Sequence, residues 1–128
     1  MRAATKMGVE PRFVSFDDAP HYMTRASAVV STVPADAGAG LAQVLAATLT
    51  AAGERVESGA VLLDAVYSPL DTPLGLAWEQ AGGTFVRGTR MLLHQAGEQV
   101  RLMTGREAPL TSMSEALDRA IESRHSSR

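Results

Sequence analysis

The residues with most chemistry to offer lie in one stretch, from Val61 to Gly105. Tyr67 brings a phenol that can donate to or accept from a hydroxyl or carboxylate. Gln95 brings a carboxamide that can do both toward a hydroxylated ligand. Met91 precedes Gln95 by one helical turn, so the two point from one side of their helix. Gly88 stands just ahead of that helix; lacking a Cβ, it either makes a turn or lets a ligand approach backbone. Without further context, a surface amide and a packing thioether are the plainer readings of Gln95 and Met91. His94 adjoins Gln95 but is offset by about 100° around the helix, and it reads as non-catalytic. Asp64 reads as an acceptor that steadies a loop. The three His are scattered and Cys is absent. That excludes a histidine metal cluster, thiolate zinc sites, disulfides and a Cys nucleophile.

These side chains need elements to hold them. Val61-Leu62-Leu63 is an apolar strand ending in Asp64. Thr72 suits a helix N-cap and Pro73 the first helical position. Gly82-Gly83 breaks that helix, Thr84-Phe85-Val86 forms a short strand, and a helix runs from Thr89 to about Met103, burying Leu92, Leu93, Ala96, Val100 and Met103. Strand, loop and helix, twice over, predict a parallel sheet with its site at the strand C-termini.

Upstream, Arg2–Met7 reads as the last turns of a helix stopped at Gly8. Arg12–Phe16 reads as a strand, and His21–Ala26 as one or two helical turns entered through Asp17-Asp18. Ala28–Thr32 reads as a buried parallel strand stopped by Pro34. A helix is predicted from Gly38 to Ala52, with Leu41, Val44, Leu45, Thr48 and Leu49 on one face. Gly53 ends it. Beyond Pro109, Ser112-x-x-Glu115 predicts a capping box for a last helix. Met113, Ala116, Leu117, Ala120 and Ile121 form its apolar side, and 122–128 reads as a polar tail. Trp78 is expected to pack.

The chain has 128 residues and a net charge of −2. Such a length suits one domain, and such a charge offers no broad attraction for nucleic acid or an anionic membrane. No apolar run spans a bilayer and the N-terminus lacks a secretory apolar core, so a cytoplasmic setting is expected.

Three motifs occur in order: Asp64-x-x-Tyr67-x-Pro69-x-x-Thr72-x-Leu74, then Gly88-x-x-Met91-Leu92-x-x-Gln95-Ala96, then Thr104-Gly105. In order and spacing they resemble the C-terminal part of shikimate dehydrogenase, the NADP-linked enzyme of aromatic amino-acid biosynthesis. Weaker similarity runs from about Ala26 to Ile121. The resemblance implies an α/β fold over 1–121: a partial Rossmann-like open sheet, mostly parallel, of about four strands with flanking helices, the first two strands of the usual fold missing. It implies NADP as cofactor. The Gly88 carbonyl would hold the nicotinamide amide, Met91 and Ala65 would line its pocket, and Thr32 would run near the cofactor. Arg2 matches the last Arg of a basic motif that meets the adenosine 2′-phosphate, although on position alone it reads as a solvated Arg. Tyr67 and Gln95 would contact the substrate, shikimate or 3-dehydroshikimate. The chain departs from the family pattern at Ser31, where Asn is usual, at Val33, where a hydroxyl is usual, and at Thr89-Arg90, where Leu-Gly is frequent.

Other parts of such an enzyme are missing. No GxGxxG turn occurs, and Gly38-Ala39-Gly40 reads as a helix entry. In the family that turn lies upstream of the matched region, and the catalytic Lys and Asp lie further upstream in a separate domain. Lys6 is the only Lys and matches no catalytic motif. In the usual strand order 3-2-1-4-5-6, the strand at 12–16 would be the third and that at 28–32 the fourth. Without the strands between them, an apolar edge is exposed. Either the strands re-pair or a partner segment, such as a missing N-terminal half, completes the sheet. The expectation is therefore a truncated product, a fragment or one piece of a split enzyme that reduces 3-dehydroshikimate with NADPH and is inactive alone. The alternatives are a non-catalytic α/β module that associates through its open edge, and a quinate/shikimate dehydrogenase using NAD. Tyr67, Gly88 and Gln95 are expected to share one hollow.

Overall fold

The structure is a computed structural model that describes residues 6–53 and 55–126, with side chains to Arg124. Its elements are α1 (Ala19–Met23), β1 (Ala28–Ser31), α2 (Ala35–Ala52), β2 (Val61–Asp64), α3 (Pro73–Gln80), β3 (Thr84–Val86), α4 (Gly88–Thr104) and α5 (Leu110–Ser126). The strands form one parallel sheet in the order β1-β2-β3, with Val30, Leu63 and Val86 level with one another across it. Consecutive parallel neighbours require a crossover between strands, and α2 and α3 supply the two crossovers.

Both crossover helices cover the same core. Leu62 and Phe85, partners across β2 and β3, point into it. Leu41, Leu45 and Leu49 of α2 and Leu74 and Trp78 of α3 meet them there. The Trp78 indole N–H donates to the Ala60 carbonyl at 3.4 Å, so its polar edge is not stranded in the core. Gly83 passes directly under the indole; a Cβ on it would sit 2.2 Å from Trp78 Nε1. The break between α3 and β3 is therefore a packing requirement as well as a turn.

Helix ends follow the local chemistry. The Thr72 hydroxyl accepts from the Gly75 N–H at 3.1 Å, and Pro73 opens α3. Gly53 and Gly105 close α2 and α4 in the left-handed conformation, with φ of 63° and 68°. Gly8, at φ 73°, meets the same requirement, but the turns expected over Arg2–Met7 lie largely outside the described residues.

Several expectations fail in detail. Arg12–Phe16 is not a strand. Ser15 and Asp18 close a turn instead: the Ser15 hydroxyl donates to Asp18 Oδ2 at 2.6 Å and accepts from the Asp18 N–H at 3.2 Å. Phe13 and Phe16 both stay exposed, so the segment has no buried face to fix a register. The sheet thus has three strands rather than four. Helix α2 begins three residues earlier than predicted, at Ala35, and its buried stripe takes in Ala42 and excludes Val44. On α4 the buried positions are Gly88, Thr89, Leu93 and Gly97, while Leu92 and Met103 face solvent. Helix α5 starts directly after Pro109, whose carbonyl accepts from the Met113 N–H at 3.0 Å, so Ser112 and Glu115 lie inside the helix rather than at a cap. The helix also continues through the expected polar tail as far as Ser126.

Candidate functional site

A buried hydrogen-bond relay holds the loop after β2. Asp64 is buried at the end of the strand and spends both carboxylate oxygens locally. Its Oδ2 accepts from the Thr72 hydroxyl at 2.7 Å, and its Oδ1 accepts from the Val66 N–H at 3.1 Å. Thr72 in turn caps α3, so the strand end, the loop start and the helix start form one unit. Asp64 is the loop-steadying acceptor anticipated from sequence. At the far end of the loop, Asp71 pairs with Arg87 at 2.6 Å, and that guanidinium stacks over Phe85 with its carbon 5.2 Å from the ring centroid. The loop carrying Tyr67 is thus tied at both ends.

Gly88 opens α4 by pressing against this loop. A Cβ there would lie 2.7 Å from the Ala65 carbonyl oxygen and 2.8 Å from those of Asp64 and Val66. Three backbone oxygens cannot retreat together, so only glycine fits at this approach. The Gly88 Cα faces the chain's own backbone, an arrangement that sequence could not distinguish from a ligand approach.

Around this contact the structure sorts the candidate residues into two hollows. Thr32, Ala65 and Tyr67 gather with Val66 and Ser68 around a shallow one of about 400 Å³ at the C-terminal ends of β1 and β2. Met91 and Gln95 line a larger one of about 880 Å³, floored by Leu63, Leu70 and Val86 and walled by α5 through Asp118 and Ile121. Gly88 is buried and belongs to the lining of neither. The single shared hollow expected for Tyr67, Gly88 and Gln95 is therefore not formed. Tyr67 is 53% exposed. Arg2 lies outside the described residues.

Sequence reading missed part of the larger hollow. His94, set aside for its angular offset, lines it beside Gln95, as do Arg87, Arg90 and Asp118. Arg90 donates to the Ser114 hydroxyl at 2.9 Å and so straps α4 to α5 across the rim. Only the departure from the family pattern at Thr89-Arg90 pointed there; nothing in the periodicity of α5 singles out Asp118. A second unforeseen feature is Ser31. Its hydroxyl is buried at the end of β1, beside Thr32, and has no hydrogen-bond partner among the described residues. A buried donor in that state calls for a partner. No group of three or more His, Cys, Asp or Glu able to hold a metal occurs among the described residues.

Three parallel strands in sequential order, crossover helices on one face and a loop-built hollow at the strand C-termini define one half of a doubly wound nucleotide-binding-type α/β sheet. Comparison with known proteins narrows the class. Residues 88–117 match the family described as the shikimate 5'-dehydrogenase C-terminal domain. Over 113 residues the chain is 35% identical to the shikimate dehydrogenase (NADP(+)) of Natronomonas pharaonis, covering 74% of this chain and 43% of that one. The crystal structure of Mycobacterium tuberculosis shikimate dehydrogenase superposes with a TM-score of 0.71 at 42% identity, covering 91% of this chain and 39% of that one. A quinate dehydrogenase from Corynebacterium glutamicum, in complex with NAD, shares the fold at a TM-score of 0.59 and 22% identity. The chain is similar to the C-terminal region of shikimate dehydrogenases and spans less than half the length of these relatives. No helix among the described residues is long and apolar enough to cross a membrane.

Proposed function

We propose that residues 1–121 are the NADP-binding part of a shikimate dehydrogenase, contributing nicotinamide and substrate contacts to the reduction of 3-dehydroshikimate. One observation carries most of the weight: Thr32 after β1 and Ala65 and Tyr67 after β2, distant in sequence, line one hollow at the strand C-termini, which is where open α/β sheets bind ligands. These residues fit the nicotinamide end of a dinucleotide. Its pyrophosphate needs a glycine-rich turn, and this chain has none.

When bound, NADPH would supply the hydride. The chain's own residues would bind and orient. Ala65 and Thr32 would border the nicotinamide, with Met91 beside it and the Gly88 carbonyl holding its amide. Tyr67 would hydrogen-bond the substrate carboxylate or a hydroxyl, and Gln95 a ring hydroxyl. Arg2 would meet the adenosine 2′-phosphate. Because Tyr67 and Gln95 line separate hollows in this structure, the reading requires polypeptide outside this chain to wall both into one cleft. Proton transfer would fall to that same polypeptide, where the resemblance places the catalytic Lys and Asp.

Kinetics test the reading. The purified chain alone should not turn over 3-dehydroshikimate. Co-expressed with the N-terminal part of the M. tuberculosis enzyme, it should do so with NADPH in preference to NADH. Tyr67→Phe and Gln95→Ala should each raise the KM for shikimate about tenfold, the loss of one buried hydrogen bond to substrate. Turnover by the chain alone, or an active pair indifferent to both substitutions, would overturn the assignment. Preference for NADH and quinate would favour the NAD-linked alternative.

A further inference from the structure

We infer that Arg90 and Asp118 set the ligand specificity of the larger hollow. It takes a ring acid with one carboxylate and a hydroxyl: the carboxylate pairs with Arg90, and the hydroxyl donates to Asp118. The charges left over in the hollow lead to this. Arg87 is spent on Asp71 and on the Phe85 ring. Arg90 donates through Nη1 to a neutral acceptor, the Ser114 hydroxyl. A guanidinium carries five donors in a planar fork, so those not turned to Ser114 remain for a ligand. Both Arg90 and Asp118 line this hollow, and neither has an ion-pair partner among the described residues.

Two unpaired charges of opposite sign choose the ligand class. A guanidinium fork matches either a carboxylate or a phosphate. Asp118 decides between them, because it repels any second negative charge brought into the hollow. A monoanionic carboxylate is therefore favoured over a phosphate. An ionised Asp118 only accepts hydrogen bonds, so the ligand group that suits it is a hydroxyl. Gln95, across the hollow on α4, can donate to or accept from a further hydroxyl.

The ring is called for by the rest of the lining. Leu63 and Val86 of the sheet and Ile121 of α5 give the hollow an apolar floor and wall, and a few polar groups over such a surface fix a ligand's orientation. The two charged groups stand on packed helices, α4 and α5. Ser114 and Asp118 are one turn apart on α5, so the bond to Ser114 holds Arg90 at the turn next to Asp118. Under the dehydrogenase reading this acid is the substrate, and that link rests on the reading. The selectivity itself rests on the hollow alone.

The test is a ligand titration of the full chain, read from the amide chemical shifts of Val86, Gln95 and Asp118. The probes are 3-hydroxybenzoate, its neutral amide 3-hydroxybenzamide, and benzoate. The hydroxy acid should bind saturably, at least about tenfold tighter than the amide, the scale of one charge-assisted hydrogen bond. It should bind about threefold or more tighter than benzoate, the scale of one neutral donor lost. Arg90→Gln should remove the preference for acid over amide, and Asp118→Ala the advantage of the hydroxyl. Ser114→Ala, which releases the bond between the helices and keeps both charges, should retain the two preferences. Arg90→Met is the second variant should Arg90→Gln lose its circular dichroism. The inference is overturned by no saturable shift at these amides, by equal binding of acid and amide, or by preferences that survive Arg90→Gln and Asp118→Ala. Loss of the acid preference in Ser114→Ala overturns it too, since the bond between the helices would then be the cause. Neither cofactor nor a second polypeptide enters the titration. A reconstituted pair without turnover would therefore refute the dehydrogenase reading alone, and equal binding of acid and amide would refute this inference alone.

Discussion

At Gly88 a single missing atom decides how closely α4 approaches the end of β2. The three carbonyl oxygens within 2.8 Å of a would-be Cβ are backbone, so accommodation must come from moving the helix. Gly88→Ala should therefore lower stability by about 1–3 kcal/mol, the usual cost of overpacking, read as a shift of the urea midpoint. An unchanged midpoint would mean that α4 has slack at its start. The motif spacing singled out Gly88, Tyr67 and Gln95 as a group, and the family resemblance added Thr32 and Ala65; it is the structure that gathers Thr32, Ala65 and Tyr67 around one strand-end hollow. The spacing did not show that Met91 and Gln95 would line a separate hollow from Thr32, Ala65 and Tyr67. That partition depends on how one helix seats against one loop, a tertiary distance with no sequence signature. Asp118 was illegible for a related reason: only the return of α5 brings it to the rim.

Two helical glycines show how packing sets the sign of the same substitution. Gly75 in α3 lies under Phe85, whose ring atoms would stand 2.3–2.6 Å from an added Cβ. That ring is buried between sheet and helix and has nowhere to go. A Cβ on Gly97 in α4 would crowd the tip of Leu110, at 2.6 Å, a flexible side chain that is itself exposed, and would meet Ala108 Cβ at an ordinary 3.6 Å. Gly75→Ala should destabilise by about 1–3 kcal/mol. Gly97→Ala should be near neutral, because the gain of about 1 kcal/mol from replacing a helical glycine offsets the shift of Leu110. Equal thermal midpoints for the two variants would contradict this account of the core. Helix α4 also carries a pH-sensitive pair. Its hydrogen bond to Arg101 holds the Glu98 carboxyl below the ordinary glutamate range. A lowered folded value means that the pair's stabilisation is present above the ordinary range and lost as pH falls through the lowered one. Glu98→Gln should therefore flatten the acid limb of the stability curve slightly; a steeper limb would contradict the sign. The elements themselves were largely legible, because Thr72-Pro73, Gly53 and Gly105 mark helix ends by mechanisms that act within one turn. What failed was the strand at 12–16, where Ser15–Asp18 turn chemistry overrode a weak apolar pattern, and the buried face of α4, where periodicity assumed a covering that the described residues do not provide.

At the scale of the whole molecule, three parallel strands carry a core under α2 and α3 and two hollows toward the α4 side and the strand C-termini. The account places ligand contacts on this chain and the completing walls on polypeptide outside it, which makes cofactor binding dependent on assembly. The most direct measurement is an NADPH titration followed by nicotinamide fluorescence, run on the chain alone and on the chain assembled with the N-terminal part of a shikimate dehydrogenase. The account predicts a saturable rise in emission for the assembled pair, at least about tenfold weaker or absent for the chain alone. An assembled pair that leaves nicotinamide emission unchanged would contradict it.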